Sequence, residues 1–205
     1  MTDRPFTSDI HRVAHTLARG GVAVVPTDTV YGLAASLEHS DAIEQLYDLK
    51  GRPHDKPIPI LVASSEEAKR LSSNLSSVAC RLVRAFWPGP LTIVVQAARG
   101  VPEACLSGGR TVGLRMPDHG ALLSLLAACG GALAVTSANS SGDPETVTAS
   151  DAFASLNELP DIVLDCGIAP GRRPSTVIDT TTFPPTVLRE GTLDADLVLA
   201  VTERS

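Results

Sequence analysis

Aromatic residues are scarce in this 205-residue chain: one Trp, two Tyr and four Phe amount to 3% of it. A surface that stacks unpaired bases needs aromatic rings, so the composition argues against a nucleic-acid platform of that kind. Lysine is scarcer still, with only Lys50, Lys56 and Lys69. Arginine carries the rest of the positive charge, and the formal net charge of −6 opposes broad electrostatic capture of RNA, DNA or an anionic membrane. Cys80, Cys105, Cys129 and Cys166 form no CxxC pair and no zinc-like Cys/His spacing, so four reduced, mostly packed thiols are expected. Residues 1–12 mix acidic and basic side chains without an apolar core, and the long uncharged run over residues 120–142 is broken by Gly130-Gly131. Neither reads as a secretory signal or a membrane span, and a cytoplasmic protein is expected. What remains is an ordinary hydrophobic fraction of 43%, enough for one domain with its own core.

Hydrophobic spacing places the elements. Ile10, Val13, Ala14 and Leu17 fall on one helical face after a possible Ser8 cap, and Gly20-Gly21 closes the segment. Residues 22–25 form a continuous apolar run between glycine and Pro26, the pattern of a strand buried on both faces. A loop over residues 26–32 follows. Ile43, Leu46 and Tyr47 mark a helix that starts near Ser40 or Asp41 and whose last turn delivers Lys50 and Arg52. Ser64 and Glu67 have capping-box spacing, and Val78, Leu82, Ala85 and Phe86 define a helix that stops at Trp87-Pro88-Gly89-Pro90. Strands are predicted over residues 58–62, 91–95, 111–115, 132–136, 162–165, 176–180 and 186–188, and helices over 119–129 and 149–156. The alternation predicts an α/β fold with one large twisted mixed β-sheet flanked by helices. Residues 1–205 are expected to form a single domain, with a core over about 8–191 and a short C-terminal tail over 192–205.

Two of the lysines lie in Lys50-Gly51-Arg52-Pro53-His54-Asp55-Lys56. Three cations beside a glycine and a proline suggest an anion cradle, although a solvated helix C-terminus that offsets the dipole has the same composition. Polar residues gather after two strands, at Thr27, Asp28, Thr29 and Tyr31 and at Ser137, Asn139, Ser140 and Ser141. Such residues are turn formers, yet strand-end crevices are also where α/β sheets bind ligands. Convergence with Arg115, Ser175 and Arg189 would make a positive pocket inside an acidic protein. Arg forks, a Lys point charge and hydroxyls together suit a phosphate-bearing ligand, without the GxxxxGK[ST] or GxGxxG loops. A serine hydrolase pairing Ser137 with His119 or His54 lacks the GxSxG elbow and an acid partner.

Several segments carry a resemblance in order: Pro26-Thr27-Asp28-Thr29-Val30-Tyr31-Gly32-Leu33, Lys50-Gly51-Arg52-Pro53, Trp87-Pro88-Gly89-Pro90-Leu91-Thr92, Val112-Gly113-Leu114-Arg115-Met116-Pro117, Thr136-Ser137-Ala138-Asn139-Ser140-Ser141-Gly142, Ser175-Thr176-Val177-Ile178-Asp179 and Leu188-Arg189-Glu190-Gly191. Together they resemble the YrdC-like family, and specifically the short form of its threonylcarbamoyl-AMP synthases, which lacks an extra C-terminal domain. The resemblance implies a single YrdC-like domain with a concave ligand site. It implies synthesis of threonylcarbamoyl-AMP from L-threonine, bicarbonate or CO2, and ATP, with pyrophosphate released, for threonylcarbamoyladenosine modification of tRNA. It further implies ATP-binding positions at Lys50, Arg52, Lys56, Thr111, Ser137, Asn139 and Arg189, with Lys50 and Arg52 catalytic. Threonine would meet Thr29, Arg115, Ser175 and main-chain groups at Val135. Mg²⁺ is expected to arrive with ATP, without a dedicated protein metal site. Downstream transferase proteins would pass the group to tRNA, with weak or no direct tRNA binding by this chain. An RNA-binding or ribosome-maturation module, or a different carbamoyl-transfer enzyme on the same fold, remain the competing readings. One departure is visible: Glu145 stands where relatives commonly have serine, and a carboxylate near phosphates would repel them unless it faced magnesium or solvent.

Overall fold

The apolar run after Gly20-Gly21 becomes a strand whose alternate residues enter two different cores. In chain order the strands are β1 (Phe6–Thr7), β2 (Ala23–Val25), β3 (Gly32–Ser36), β4 (Ile60–Val62), β5 (Ser72–Asn74), β6 (Leu91–Ala97), β7 (Thr111–Arg115), β8 (Ala132–Ser137), β9 (Ile162–Leu164), β10 (Thr176–Asp179) and β11 (Thr186–Arg189). The helices are α1 (Ile10–Ala18), α2 (Ser40–Lys50), α3 (Ser65–Leu71), α4 (Ser77–Phe86), α5 (Gly120–Ala128), α6 (Ala149–Ala154) and α7 (Ala195–Thr202). The computed structural model describes residues 5–203. One mixed sheet runs β1-β9-β2-β3-β8-β4-β7-β6-β10-β11, with β5 pairing β6 off that path.

The two faces of the sheet are covered unequally. Val24, Leu33, Ile60, Ile93 and Leu114 point into the larger core, which also takes Ile43, Leu46 and Leu82 from α2 and α4. Ala23, Val25, Ala34, Leu61, Leu133 and Val135 point the other way, into a smaller core with Val13 and Leu17 of α1 and Leu122, Leu125 and Leu126 of α5. These two helices overlie the half of the sheet from β9 to β4. Over β7, β6 and β10 this second face carries Arg115, Thr92 and Val177 instead, and its concavity stays open.

Local chemistry fixes the helix ends. Asp9 caps α1 through bonds from the His11 and Arg12 backbone N–H groups, so the expected Ser8 cap falls one residue away. Ser64 caps α3, but the Glu67 side chain turns to Arg70 instead of completing the box. Gly51 ends α2 at φ +58°, a left-handed conformation that suits glycine, and Arg52 N–H then bonds back to Tyr47 O at 2.8 Å.

Three features depart from the sequence expectations. β3 starts at Gly32, the last residue of the expected loop, and runs over residues 33–36, for which no element was expected. Gly-Leu-Ala-Ala-Ser has little intrinsic strand preference, yet all five residues are buried between β2 and β8, and that burial decides the outcome. β1 and β5 are too short to leave a periodic signal. The expected C-terminal tail contains α7, capped by Asp194, with Val198 buried and Thr202 O accepting from Arg81 at 2.8 Å. Among the described residues no helix is long and apolar enough to cross a membrane.

Candidate active site

The open half of the sheet forms a cleft of about 590 Å³, continuous with solvent and lined by residues from β3, β4, β6, β7, β8 and β11 and the loops that join them. Part of that space is open solvent, so the cleft is a shallow concavity and not an enclosed cavity. Leu61 and Val135 give it an apolar wall, and Arg52, Arg115 and Arg189 line it as well.

At the recessed end the turn after β2 is built on Thr27. Its hydroxyl donates to Val30 O at 2.6 Å and accepts from the Thr29 and Val30 N–H groups. The turn presents Thr29 and Asp28 to Arg115 at the end of β7. Arg115 is 5% exposed. Its Nε donates to Gly89 O at 3.0 Å, one terminal nitrogen to Thr29 Oγ1 at 3.1 Å and the other to Asp28 Oδ1 at 2.5 Å. Desolvation lowers its pKa, while the Asp28 charge opposes the shift. A guanidinium has five N–H groups, so one on each terminal nitrogen is left by these three bonds.

At the outer end Arg189 stands on the rim, its Nε and one terminal nitrogen on Ser175 O at 3.2 and 2.9 Å. Ser175 is buried, and its hydroxyl lies 2.8 Å from that of Thr92. Arg52 lies opposite, anchored by Lys56 O and Pro57 O at 3.2 and 3.0 Å. Desolvation, and then the Arg189 charge, lower the Arg52 pKa, as expected for two guanidinium groups facing one space.

Lys50 is placed differently from its neighbours. Its ammonium donates to Ser137 O, Asn139 O and Asn139 Oδ1, which uses all three of its N–H groups. Its backbone carbonyl accepts from Ser141 N–H at 2.9 Å. Lys50 thus stitches the end of α2 to the segment after β8 and does not line the cleft. The Lys50 donors expected to meet phosphate are thus occupied by oxygens of the protein, with Ser137 Oγ a further 3.4 Å contact. Burial holds its pKa down at about 8, with Glu145 opposing the shift.

Thr29, Arg52, Arg115, Val135, Ser137, Ser175 and Arg189 come together around one space, as the sequence pattern proposed. Lys56 has an exposed side chain and contributes its carbonyl to Arg52. Thr111 pairs with Gln96, four residues along β7 from Arg115, and does not line the cleft. Asn139 is buried behind Ser137, with its amide nitrogen on Asp143 O at 2.6 Å. The Val135 N–H is taken by Pro59 O, so this residue offers its side chain to the floor and not that main-chain donor. His119 Nδ1 accepts from Leu122 N–H, and His54 stacks on Tyr47 beside Glu44. Neither histidine bonds Ser137, so the hydrolase pairing finds no support. Asp28 and Thr92 were not assigned roles from sequence. The signal was there for Thr92, a lone hydroxyl in the strand-like run Leu91–Val95.

Residues 15–191 match the Sua5/YciO/YrdC family, described as "Telomere recombination", and the chain belongs to that family. A threonylcarbamoyl-AMP synthase of Pyrococcus abyssi is 36% identical over 184 residues, covering 90% of this chain and 54% of the relative. The Bacillus subtilis threonylcarbamoyl-AMP synthase is 32% identical over 204 residues, covering 98% of this chain and 59% of the relative. The chain therefore spans little more than half the length of these two relatives. Among solved structures, P. abyssi Sua5 complexed with L-threonine superposes with a TM-score of 0.90 at 35% identity, over 94% of this chain and 56% of that one. Escherichia coli YciO gives 0.83 at 29% identity, over 90% of both chains.

Two outcomes follow from the buried charges. Arg115→Ala strands Asp28 and should cost about 3–5 kcal/mol of stability, whereas Asp28→Ala combined with Arg115→Ala should recover most of the loss. Denaturant unfolding of the three proteins decides it, and a double variant no better than the single one would contradict the pairing. For Lys50, a pKa of about 8 in the fold against 10.5 in an unperturbed lysine means that the unfolded chain binds more protons between those values. Raising the pH through that window therefore favours folding at this position. The melting temperature of the unmodified protein should rise relative to Lys50→Met between pH 8 and pH 10.5, and parallel curves would contradict it.

Proposed function

We propose that the cleft couples L-threonine, bicarbonate or CO2, and ATP to give threonylcarbamoyl-AMP and pyrophosphate. One observation carries this reading: a single cleft has a recessed guanidinium with two N–H groups left for a carboxylate, and a rim where Arg52 and Arg189 face one space. The names of the relatives support it, since they are threonylcarbamoyl-AMP synthases and P. abyssi Sua5 is complexed with L-threonine.

On this reading the threonine carboxylate takes the free edge of Arg115, and its side chain lies toward Leu61 and Val135. The amine nitrogen bonds the carbon of CO2 and loses a proton, giving a carbamate. A carbamate oxygen then attacks the α-phosphorus of ATP as the bond to the pyrophosphate oxygen breaks. No side-chain nucleophile is needed. The protein's contribution is to align two unstable reactants and exclude water from them. Arg52 and Arg189 each have a terminal nitrogen free of the hydrogen bonds described above, and these would receive the negative charge that gathers on the departing pyrophosphate. Ser137, held by Lys50, would orient the phosphate chain.

Among the described residues no group of three or more His, Cys, Asp and Glu side chains is placed to hold a metal ion. The donor chemistry, a serine hydroxyl beside a phosphate chain, fits a magnesium ion that keeps most of its waters. Mg²⁺ bound to ATP would neutralise phosphate charge and would be held by the phosphates and Ser137. A net charge of −6, with the cleft arginines assigned to small anions, favours release of the intermediate to separate transferase proteins in the cytoplasm over direct capture of tRNA.

Pyrophosphate release should require ATP, threonine and bicarbonate together, and should fall to background when either small substrate is omitted. Arg52→Ala should lower kcat/KM by about ten- to a hundredfold, the loss of one charge-assisted contact. Pyrophosphate released equally well without threonine would overturn the assignment.

A further inference from the structure

Thr92, at the start of β6, lines the cleft and is 4% exposed, yet no step of the proposed reaction uses it. β6 runs antiparallel to β7 with Ile93 opposite Leu114, both in the larger core. Side chains alternate along a strand, so the next residues along, Thr92 and Arg115, stand on the other face as cross-strand neighbours. On its other side β6 runs parallel to β10, with Leu91 beside Thr176. Thr92 therefore sits between Arg115 and Ser175.

Both branches of its side chain are fixed. A Cβ on Gly113 would lie 3.0 Å from Thr92 Cγ2, so the methyl group occupies the space that this glycine leaves open. A β-branched side chain has little χ1 freedom, and the hydroxyl is held 2.8 Å from Ser175 Oγ. Ser175 Oγ also accepts from a terminal nitrogen of Arg189 at 3.2 Å, and the same guanidinium is anchored on Ser175 O. A guanidinium and two hydroxyls thus form a row from Arg189 through Ser175 to Thr92.

This row has one proton to spare. Each hydroxyl carries one donor hydrogen and two acceptor sites. One of the two hydroxyl protons lies between the oxygens, and the other has no acceptor among the described residues. Hydrogen bonds that run in one direction strengthen one another, and a charged donor at the head makes a strong first link. That favours Arg189 donating to Ser175 and Ser175 to Thr92. The unused O–H then belongs to Thr92, beside Arg115, and the cleft is where it finds an acceptor.

We propose that Thr92 is a substrate-binding residue, whose hydroxyl donates to an anionic oxygen of the amino acid held at Arg115. The identity of that ligand rests on the threonine reading above; the donor rests on Thr92, Ser175 and Arg189. The row also carries the pull of a rim cation toward Arg115, so that Arg189 favours an anion there without touching it.

The test is calorimetric titration of L-threonine, and separately of Mg²⁺-ATP, into the unmodified full chain, Thr92→Val and Thr92→Ser. Valine keeps the shape and the methyl group over Gly113 but has no hydroxyl, so Thr92→Val should bind threonine about tenfold more weakly, the loss of one hydrogen bond to a charged group. Thr92→Ser restores the donor and should recover most of that loss. ATP affinity should be unchanged in both, because Arg189 keeps its anchor on Ser175 O. Thr92→Ala, which also lacks the hydroxyl, serves if the valine variant fails to fold. Unchanged threonine binding by a folded variant without the hydroxyl overturns the inference. An equal loss in Thr92→Ser does so too, since the methyl group would then be what matters, and so does a parallel loss of ATP affinity, which would make Thr92 a support for Arg189. An unmodified chain that binds no threonine overturns the substrate reading itself and the inference with it, whereas the other adverse outcomes strike the inference alone.

Discussion

The site depends on one buried ammonium. Lys50 closes α2, and its three N–H groups hold the chain at Ser137 and Asn139, the point where β8 leaves the sheet. Removing a lysine from water is unfavourable, and desolvation is the largest influence on its pKa. Its hydrogen bonds to three oxygens offset only part of that cost, and they tie together segments nearly ninety residues apart in sequence. Ser137 is thereby fixed at the mouth of the cleft, and Gly51, left-handed just after the lysine, turns Arg52 toward the same space.

An acidic protein has thus gathered cations where its sheet is uncovered. α1 and α5 cover one half of a face, and the other half carries Arg115 and Thr92 at positions where the covered half carries Leu133 and Val25. Every cation there has a local partner. Arg115 has Asp28, Arg189 has Ser175, and Arg52 has two backbone carbonyls. These partners hold the side chains in place before any ligand arrives, and such preorganisation is what a reaction based on alignment requires.

Much of this was legible in the residues. The run at 22–25 gave its strand because both faces are buried, and Thr111–Arg115 was bounded as found because alternating side chains end at a charge. The ordered motifs brought most of the candidate site residues to one cleft. β3 was not legible, since Gly32–Ser36 is a strand only through its two neighbours. The direction of the Lys50 side chain was not legible either. Its spacing from Arg52 puts both at one helix end, but only the fold shows that the ammonium reaches back to Ser137 while the guanidinium faces the cleft. Asp28 read equally as a turn former and as part of a strand-end crevice, because nothing local shows that Arg115, 87 residues on, ends bonded to it.

The central claim, that one cleft joins threonine to ATP through a carbon taken from bicarbonate, is tested most directly by mass spectrometry of the product formed with ¹³C-bicarbonate. The account predicts an AMP adduct that contains threonine and carries the label. An unlabelled threonine–AMP adduct, or an AMP product without threonine, would contradict it.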